Sequence, residues 1–593
     1  MDNHRCTVCN FIYDDEHQAE QFASQPDSYT CPVCGAPKSA FVPEGIAVSE
    51  DEKAASVAEK LVDQLVAFGV KRVCGIPGDS NLPIVEAIRR HDDIDFILTR
   101  HEETAAFMAC AHGKMTDHVG ACMSIAGPGA TNLITGLMDA TNDRAPVLAL
   151  LGQVPEVYLG SEAFQEIDQI ELFKPFAQFG ETVARPNQAL KLLLMAIKYA
   201  YCRPGVSVLS LPTDVLVEKL PEQIYKPARR LVDQPTRPAT EEINKAALLI
   251  NESERVAILA GWGARHAGEG LLRLAEKINA VVATTSRAKG VIYESHPLSL
   301  GVLGSIGSKY AAKAVQSCDL LMVVGSGFRQ ANLVPAGVKK IQMDWDPTRV
   351  AKTFDIDVGL VGDAVVLLDE LAELVDDKAA DADFAAEVAK FKEGHLAEIA
   401  DDASDMGSPI NPGLVIQTIK KHVSDDAVIC IDVGDHTYWF YKKFICEGQK
   451  TYLSANIASM GFSLPAALSA QLDFPERQVV CVTGDGGFGM LMADFTTAVR
   501  EGLAINVVVF NDGELKNIKK EQNRDSYPEY GIEFENPNFA EFATTSGGLG
   551  IRIDDPHKLD AAVKEAFASQ LPSLVEVMVD KERMAPSTKS PTA

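Results

Sequence analysis

Nowhere in these 593 residues is there an apolar run of about 18 or more, the length a helix needs to cross a bilayer. The start, Met1-Asp-Asn-His-Arg-Cys6, has no apolar core of a secretion signal either. Both lacks predict a soluble chain with a cytoplasmic location and no membrane partner. Positive charge is scarce: 55 Lys and Arg stand against 83 Asp and Glu, a net charge of −28. A surface of that sign repels polyanions, which argues against nucleic acid and anionic membranes. An anionic substrate must then meet a locally positive site. A disulfide framework is missing too. Of 12 cysteines, eight (Cys74, Cys110, Cys122, Cys202, Cys318, Cys430, Cys446, Cys481) are scattered, mostly within apolar runs, as in a reducing compartment.

The other four come in pairs, Cys6-Thr-Val-Cys9 and Cys31-Pro-Val-Cys34. Two such turns offer four soft thiolates to one tetrahedron, the donor set that selects iron or zinc. The residue after each second cysteine often needs a positive φ so that backbone N–H groups face the sulfurs, and Asn10 and Gly35 stand there.

A second signal lies near the other end. Gly484-Asp485-Gly486 follows the β-rich stretch Gln478–Thr483, and Asp512 comes 27 positions after Asp485, beyond an expected helix Met490–Glu501 and strand Ile505–Phe510. Glycines let a backbone approach phosphate, a following helix N-terminus attracts its charge, and Asp485 and Asp512 would bring two oxygen ligands for a hard cation to neighbouring strand ends.

Apolar runs alternate with helical stretches in three cycles, which predicts an α/β chain of three doubly wound parallel-sheet domains. The expected units are a small module over 1–45 and large domains over 55–228, 238–374 and 408–582. Expected strands are Arg72–Gly75, Asp95–Leu98, Gly120–Ile125, Val147–Leu151 and Val206–Leu211; then Val256–Ala260, Ala280–Thr284, Leu320–Val324 and Lys340–Met343; then Ala427–Ile431, Gln478–Thr483, Ile505–Phe510 and Ser573–Val579. Asp376–Asp405 reads as a solvated connecting helix, and Met584–Ala593 as a disordered tail.

The cysteine segments, with Gly35-Ala-Pro-Lys-Ser-Ala-Phe41 after the second, resemble rubredoxin over almost all of the first 45 residues. That resemblance implies one iron held by Cys6, Cys9, Cys31 and Cys34. Departures are Asn10 where Gly is usual, Tyr29 where Trp is usual, and a shorter loop between knuckles. A zinc-filled structural ribbon therefore stays open.

From about residue 55 to 582 the chain resembles the thiamine-diphosphate-dependent pyruvate oxidase and acetolactate synthase group. The motif resembled is Gly-Asp-Gly followed after about thirty residues by Asn-Asn; Asp512 here replaces the second Asn. By this resemblance Mg²⁺ is held by Asp485, Asp512 and the main chain of Glu514. Glu102, in Thr99-Arg-His-Glu-Glu-Thr-Ala-Ala-Phe107, falls on the cofactor-activating position and should be buried. Gly78, Asn132, Gly434, Asp435, Ser459, Met460, Gly486 and Gly487 are assigned to cofactor binding, with Met460 bending the cofactor. Phe164, Gln165 and Glu521 align with substrate-side and catalytic positions of the oxidases.

The middle domain resembles their FAD domain through Gly263, Ala264, Arg265, Ser286, Arg287, Lys289, Gly290 and Gly304, although its loops lack the GxGxxG spacing. Asn132 matches acetolactate synthases instead, and Asn517 sits where an aromatic is common. The membrane-binding C-terminal extension of quinone-linked oxidases is not expected, since little sequence follows the last expected strand. Together the resemblances imply oxidative decarboxylation of a 2-oxo acid, pyruvate first, with electrons passing from FAD to the N-terminal iron and on to a redox partner protein. The oligomer implied is a homodimer or homotetramer with active sites between subunits. A non-redox carboligase of acetolactate synthase type is the alternative.

Overall fold

The computed structural model describes residues 3–6, 8, 11–14, 21–43, 54–221, 223–227, 231 and 234–586. Each large unit is a six-stranded, wholly parallel sheet flanked by helices. Across the first sheet the strands run Asp95–Leu98, Arg72–Gly75, Gly120–Ser124, Val147–Gln153, Val206–Pro212, Phe179–Thr182. Across the third they run Lys450–Leu453, Val428–Ile431, Val479–Gly484, Asn506–Asn511, Ser573–Met578, Leu549–Ile553. Counted along the chain, both read 2-1-3-4-6-5. The central sheet runs Ser299–Val302, Val281–Thr284, Val256–Ala260, Leu320–Val324, Lys339–Asp344, Val358–Val361, which reads 3-2-1-4-5-6, the order of dinucleotide-binding folds.

Every strand expected from sequence is present to within a few residues. The five that sequence reasoning misses are Phe179–Thr182, Ser299–Val302, Val358–Val361, Lys450–Leu453 and Leu549–Ile553, all at sheet margins. Interior strands such as Val147–Gln153 and Val206–Pro212 are buried at every position and read as predominantly apolar runs, unbroken over Val147–Leu151 and interrupted only by Ser207 and Ser210 over Val206–Leu211. Marginal strands are short and have one open edge, so that signal is lost; Phe179–Thr182 buries none of its four residues.

Three local expectations need correction. Met490–Glu501 is not one helix. It is the end of Asp485–Leu491, a 3₁₀ turn Met492–Asp494 and a separate helix Phe495–Glu501. The break lets fully buried Asp494 reach the first domain, where it accepts Arg100 N–H at 2.8 Å and Thr104 Oγ1–H at 2.6 Å. The connecting segment contains the helix Ala382–Ser404, but Phe384, Val388 and Ile399 are buried, so one stripe of it is core. Of the expected tail, Met584–Pro586 packs on the third domain, with Ala585 buried and Pro586 O accepting from Lys442 Nζ; 587–593 lie outside the described residues.

The first and third domains share one core. The alanine-rich helix Glu102–Thr116 is buried almost all round because it packs against Ser463–Asp473, and small residues on both let the backbones approach. Phe107 and Phe462 meet edge to face at 5.7 Å. At the N-terminus, His4–Cys6 pairs antiparallel with Ile12–Tyr13 and Phe41–Pro43 over a small core of Cys6, Tyr13, Phe22, Cys31 and Phe41.

Candidate active site and metal centre

In the third sheet the chain order reverses between Val428–Ile431 and Val479–Gly484, the place where open α/β sheets bind ligands. A cavity of about 210 Å³ opens there. Its walls come from Gly434–His436 after the first of these strands, Gly484–Gly487 after the second, and Asp512 with Glu514–Ile518 after Asn506–Asn511, with Ala458 and Met460 between. Of the residues assigned from sequence, Gly434, Asp435, Met460, Asp485, Gly486, Gly487, Asp512 and Glu514 all line it. Ser459 stands beside Met460, its N–H held by Ser454 Oγ at 2.9 Å. A Cβ at Gly486 would stand 3.1 Å from Met460 Cε, so a glycine keeps the backbone open under that side chain.

Asp485 is the fixed point. Its carboxylate accepts N–H groups from Gly486 (2.8 Å), Gly513 (2.7 Å), Asp512 (3.2 Å) and the Asn536 amide (2.8 Å). Burial, and secondarily the charge of Asp512, pushes its pKa up to about 6. Because the folded pKa lies above the unfolded one, the ligand-free fold binds a proton more tightly, and its stability falls as pH rises from about 4 towards 6. A metal needs the ionised form, so the sign for binding is opposite. Divalent-metal affinity is expected to weaken roughly tenfold per pH unit below about 6. Titration calorimetry with Mn²⁺ between pH 5 and 8 checks this; a flat profile would exclude Asp485 as a ligand.

The sequence reading leaves out three residues of this site. His436 is buried, its Nε2 has no hydrogen-bond partner, and burial drives its pKa down to about 3, so a neutral imidazole faces the cavity. That orphaned atom, with three strand-end loops around it, suits an oxygen-rich group such as a diphosphate. The signal was its place directly after Gly434-Asp435. Lys516 pairs with Asp512 at 2.7 Å, four residues on. Asn536, which ties Asp485 to Asn511 Oδ1, comes from a distant segment and leaves no local signal.

The first domain gathers its own cluster. Glu102 is buried, as expected, at the start of its helix, and Oε2 accepts Asn132 Nδ2–H at 3.0 Å. A Cβ on Gly129 would lie 3.2 Å from Glu102 Oε1, and one on Gly127 would lie 2.9 Å from Gln165 O, so these loops close around the carboxyl. Gly78 packs on Ile125. Phe164 is 84% exposed. No residue of this domain lines the third-domain cavity, and Glu521 sits exposed on the helix Lys516–Arg524, beyond the cavity wall.

In the central domain, Gly263 and Ala264 lie at the switch point of the sheet, with Gly263 against Gly325: a Cβ on the former would meet Gly325 Cα at 2.7 Å. Ser286 and Arg287 follow the neighbouring strand, and Gly304 follows the next. Arg265 and Arg287 both lie over the Trp262 ring, and both already have partners, Asp117 at 2.5 Å and Asp143 O at 2.7 Å. They border a second cavity of about 200 Å³ with Lys289 and Gly290, but Lys289 Nζ is taken by Glu294 at 2.6 Å, and Gly304 does not line it. At the N-terminus, the Sγ atoms of Cys6, Cys31 and Cys34 lie within 4.8 Å of one another, close enough for one soft metal ion. Gly35 has φ +72°, as the knuckle requires. Cys9 and Asn10 lie outside the described residues.

The fold and these sites define an enzyme of three α/β domains with a thiolate metal module. Comparison with known families agrees. Residues 55–172 match "Thiamine pyrophosphate enzyme, N-terminal TPP binding domain", 243–371 its central domain, 432–577 its C-terminal TPP binding domain, and 3–41 rubredoxin. The chain belongs to the thiamine pyrophosphate enzyme family and carries a rubredoxin domain. It is 37% identical over 533 residues to a protein of Bacillus subtilis (strain 168) named as thiamine pyrophosphate-containing, YdaP, covering 90% of this chain and 93% of the other. It is 32% identical over 529 residues to the acetolactate synthase large subunit of Corynebacterium glutamicum (86% and 84%) and 29% over 541 residues to the pyruvate oxidase of Lactiplantibacillus plantarum (89% and 89%). Among the described residues, no helix is long and apolar enough to cross a membrane.

Proposed function

We propose that this chain catalyses oxidative decarboxylation of a 2-oxo acid, pyruvate first, as a flavin-dependent enzyme whose electrons leave through the rubredoxin-like centre. The observation that carries the carbon chemistry is the third-domain cavity, where Asp485 is braced by four N–H donors opposite Asp512. There Asp485, Asp512 and the Glu514 main chain would hold Mg²⁺, and Gly434, His436, Gly486 and Gly487 the diphosphate. Thiamine diphosphate, when bound, supplies a carbon acid that adds to the ketone of a 2-oxo acid and takes up the electrons left as CO₂ departs. Glu102 exchanges a proton with the cofactor's pyrimidine, and Met460 sets its bend. Since Glu102 does not line the cavity of its own chain, a second copy supplies it. Exposed Phe164 (84%), Val157 (78%) and Tyr530 (85%) fit a surface that a second subunit covers.

The redox part of the reading rests on two features: a central sheet in dinucleotide-binding order with glycines at its switch point, and a thiolate cluster in the same chain. For FAD the fit is through Gly263, Ala264, Ser286, Arg287 and Gly304 at three adjacent strand ends; Arg265 and Arg287 would have to share their present partners. Iron is the metal favoured for the cysteines, because a one-electron centre complements a flavin. The carboligase reading is favoured by one observation, Asn132 on Glu102, at a position that matches the acetolactate synthases.

Deleting residues 1–45 is expected to leave anaerobic, pyruvate-driven bleaching of flavin absorbance within about twofold while abolishing delivery to a one-electron acceptor. The carbon chemistry lies in the three large domains, whereas the exit lies in the module removed. Stopped-flow spectra of both forms check this. Flavin reduction in the full chain without later bleaching of a ferric–thiolate band would rule out the relay, and no flavin reduction at all would favour the carboligase.

A further inference from the structure

Where the family motif usually carries a second Asn this chain has Asp512, and the fold shows what accompanies it. Lys516, one turn on at the start of its helix, places Nζ 2.7 Å from Asp512 Oδ2, with the two side chains 4% and 11% exposed. The other acceptors of Nζ are the uncharged carbonyls of Asp580 at 3.0 Å and Arg583 at 3.5 Å. Asp512 Oδ1 accepts Glu514 N–H at 3.2 Å. The next lysine along, Lys519, is engaged with Glu514 at 3.2 Å and cannot take over. Asp485, across the cleft, is braced by N–H dipoles and pairs with no Lys or Arg among the described residues.

Two carboxylates facing one cleft repel one another, and a buried carboxylate without a counter-ion is costly. Lys516 offsets one unit of the charge of that pair, and Asp435, another buried carboxylate on the cavity wall, also lies in its field. We propose that Lys516 is a built-in counter-cation for Asp512, holding this carboxylate when no metal is present and competing with the divalent ion for it. The proposal rests on the reading of Asp485 and Asp512 as the metal site. Its consequence is a metal-free enzyme that keeps its fold, at the expense of metal affinity, because an arriving dication must oppose a tethered cation at the oxygen it needs.

The test is Mn²⁺ titrated into the full chain with thiamine diphosphate in fixed excess, read by calorimetry, together with thermal unfolding midpoints in EDTA and in Mn²⁺. Lys516→Met is expected to bind Mn²⁺ about tenfold more tightly and to unfold at a lower temperature in EDTA, with the loss recovered by Mn²⁺. Asp512→Asn, which keeps the lysine and loses its partner, should bind Mn²⁺ more weakly than the parent. Each single change leaves one buried charge of the pair without its partner and should lower the EDTA midpoint, whereas the double variant, which removes both charges, should unfold close to the parent. Affinity within twofold of the parent for Lys516→Met, or EDTA midpoint losses that simply add in the double variant, overturns the proposal. Should Lys516→Met fail to fold without Mn²⁺ yet fold with it, the counter-cation role is supported; failure in both conditions leaves Asp512→Asn to decide, and parent affinity there also overturns it. Asp485→Asn separates the two levels: undiminished Mn²⁺ binding in that variant, or none by the parent, refutes the metal site itself.

Discussion

Glu102→Gln is expected to fold, to bind thiamine diphosphate, and to turn over slower than the parent on the order of 10²- to 10⁴-fold, the range a positioned acid–base group contributes. The amide has the shape of the carboxyl and can still accept Asn132 Nδ2–H, now at 3.0 Å, through its remaining oxygen. What it cannot do is exchange a proton. Room for a larger replacement is lacking, since Gly129 closes over Oε1 and a Cβ added there would already stand 3.2 Å from it. Turnover, cofactor affinity and unfolding midpoint measured together separate the effects. Parent turnover in the variant would remove Glu102 from the chemistry, and a lost midpoint would make its role structural.

The second large effect is expected at Asp485. Asp485→Asn should keep the cleft's shape and lose more than about 100-fold in divalent-metal affinity, since removing even an outer partner of a metal ligand costs roughly 10- to 100-fold. Thiamine diphosphate binding should fall with it if the proposed Mg²⁺ also serves the diphosphate, since a hard dication takes oxygen ligands. Asp485→Ala should be worse. It would leave the N–H groups of Gly513 and Asp512 and the Asn536 amide without their acceptor in a buried place. Parent-like metal and cofactor binding in the asparagine variant would show that the ion sits elsewhere.

Much of the cavity was legible because its signals are local. Gly484-Asp485-Gly486 ends a strand that is buried over five of its six positions, and the turn into the next helix follows at once. Asp512 sits just past Asn506–Asn511, the adjacent strand, so strand pairing alone brings it to Asp485. The flavin-type assignments were harder to read. Arg265, Arg287 and Lys289 look available as cations in the sequence, whereas in the fold Asp117, Asp143 O and Glu294 hold them. The break at Asp494 was illegible for the same reason: its partners, Arg100 and Thr104, lie almost four hundred residues away.

By itself the sequence determined the chemistry offered: four thiolates in two knuckles, a Gly-Asp-Gly turn with an aspartate on the next strand, and three α/β cycles. These depend on covalent spacing and on the period of apolar residues, which a chain carries whether or not it is folded. Only the tertiary structure decided which groups are shared, spent or left open. It placed Glu102 outside the cavity of its own chain, gave Asp512 a lysine, brought Asn536 to Asp485, and left the His436 Nε2 unpaired. Burial and charge pairing are properties of surfaces that meet across long stretches of chain, and no local pattern encodes which surface will arrive.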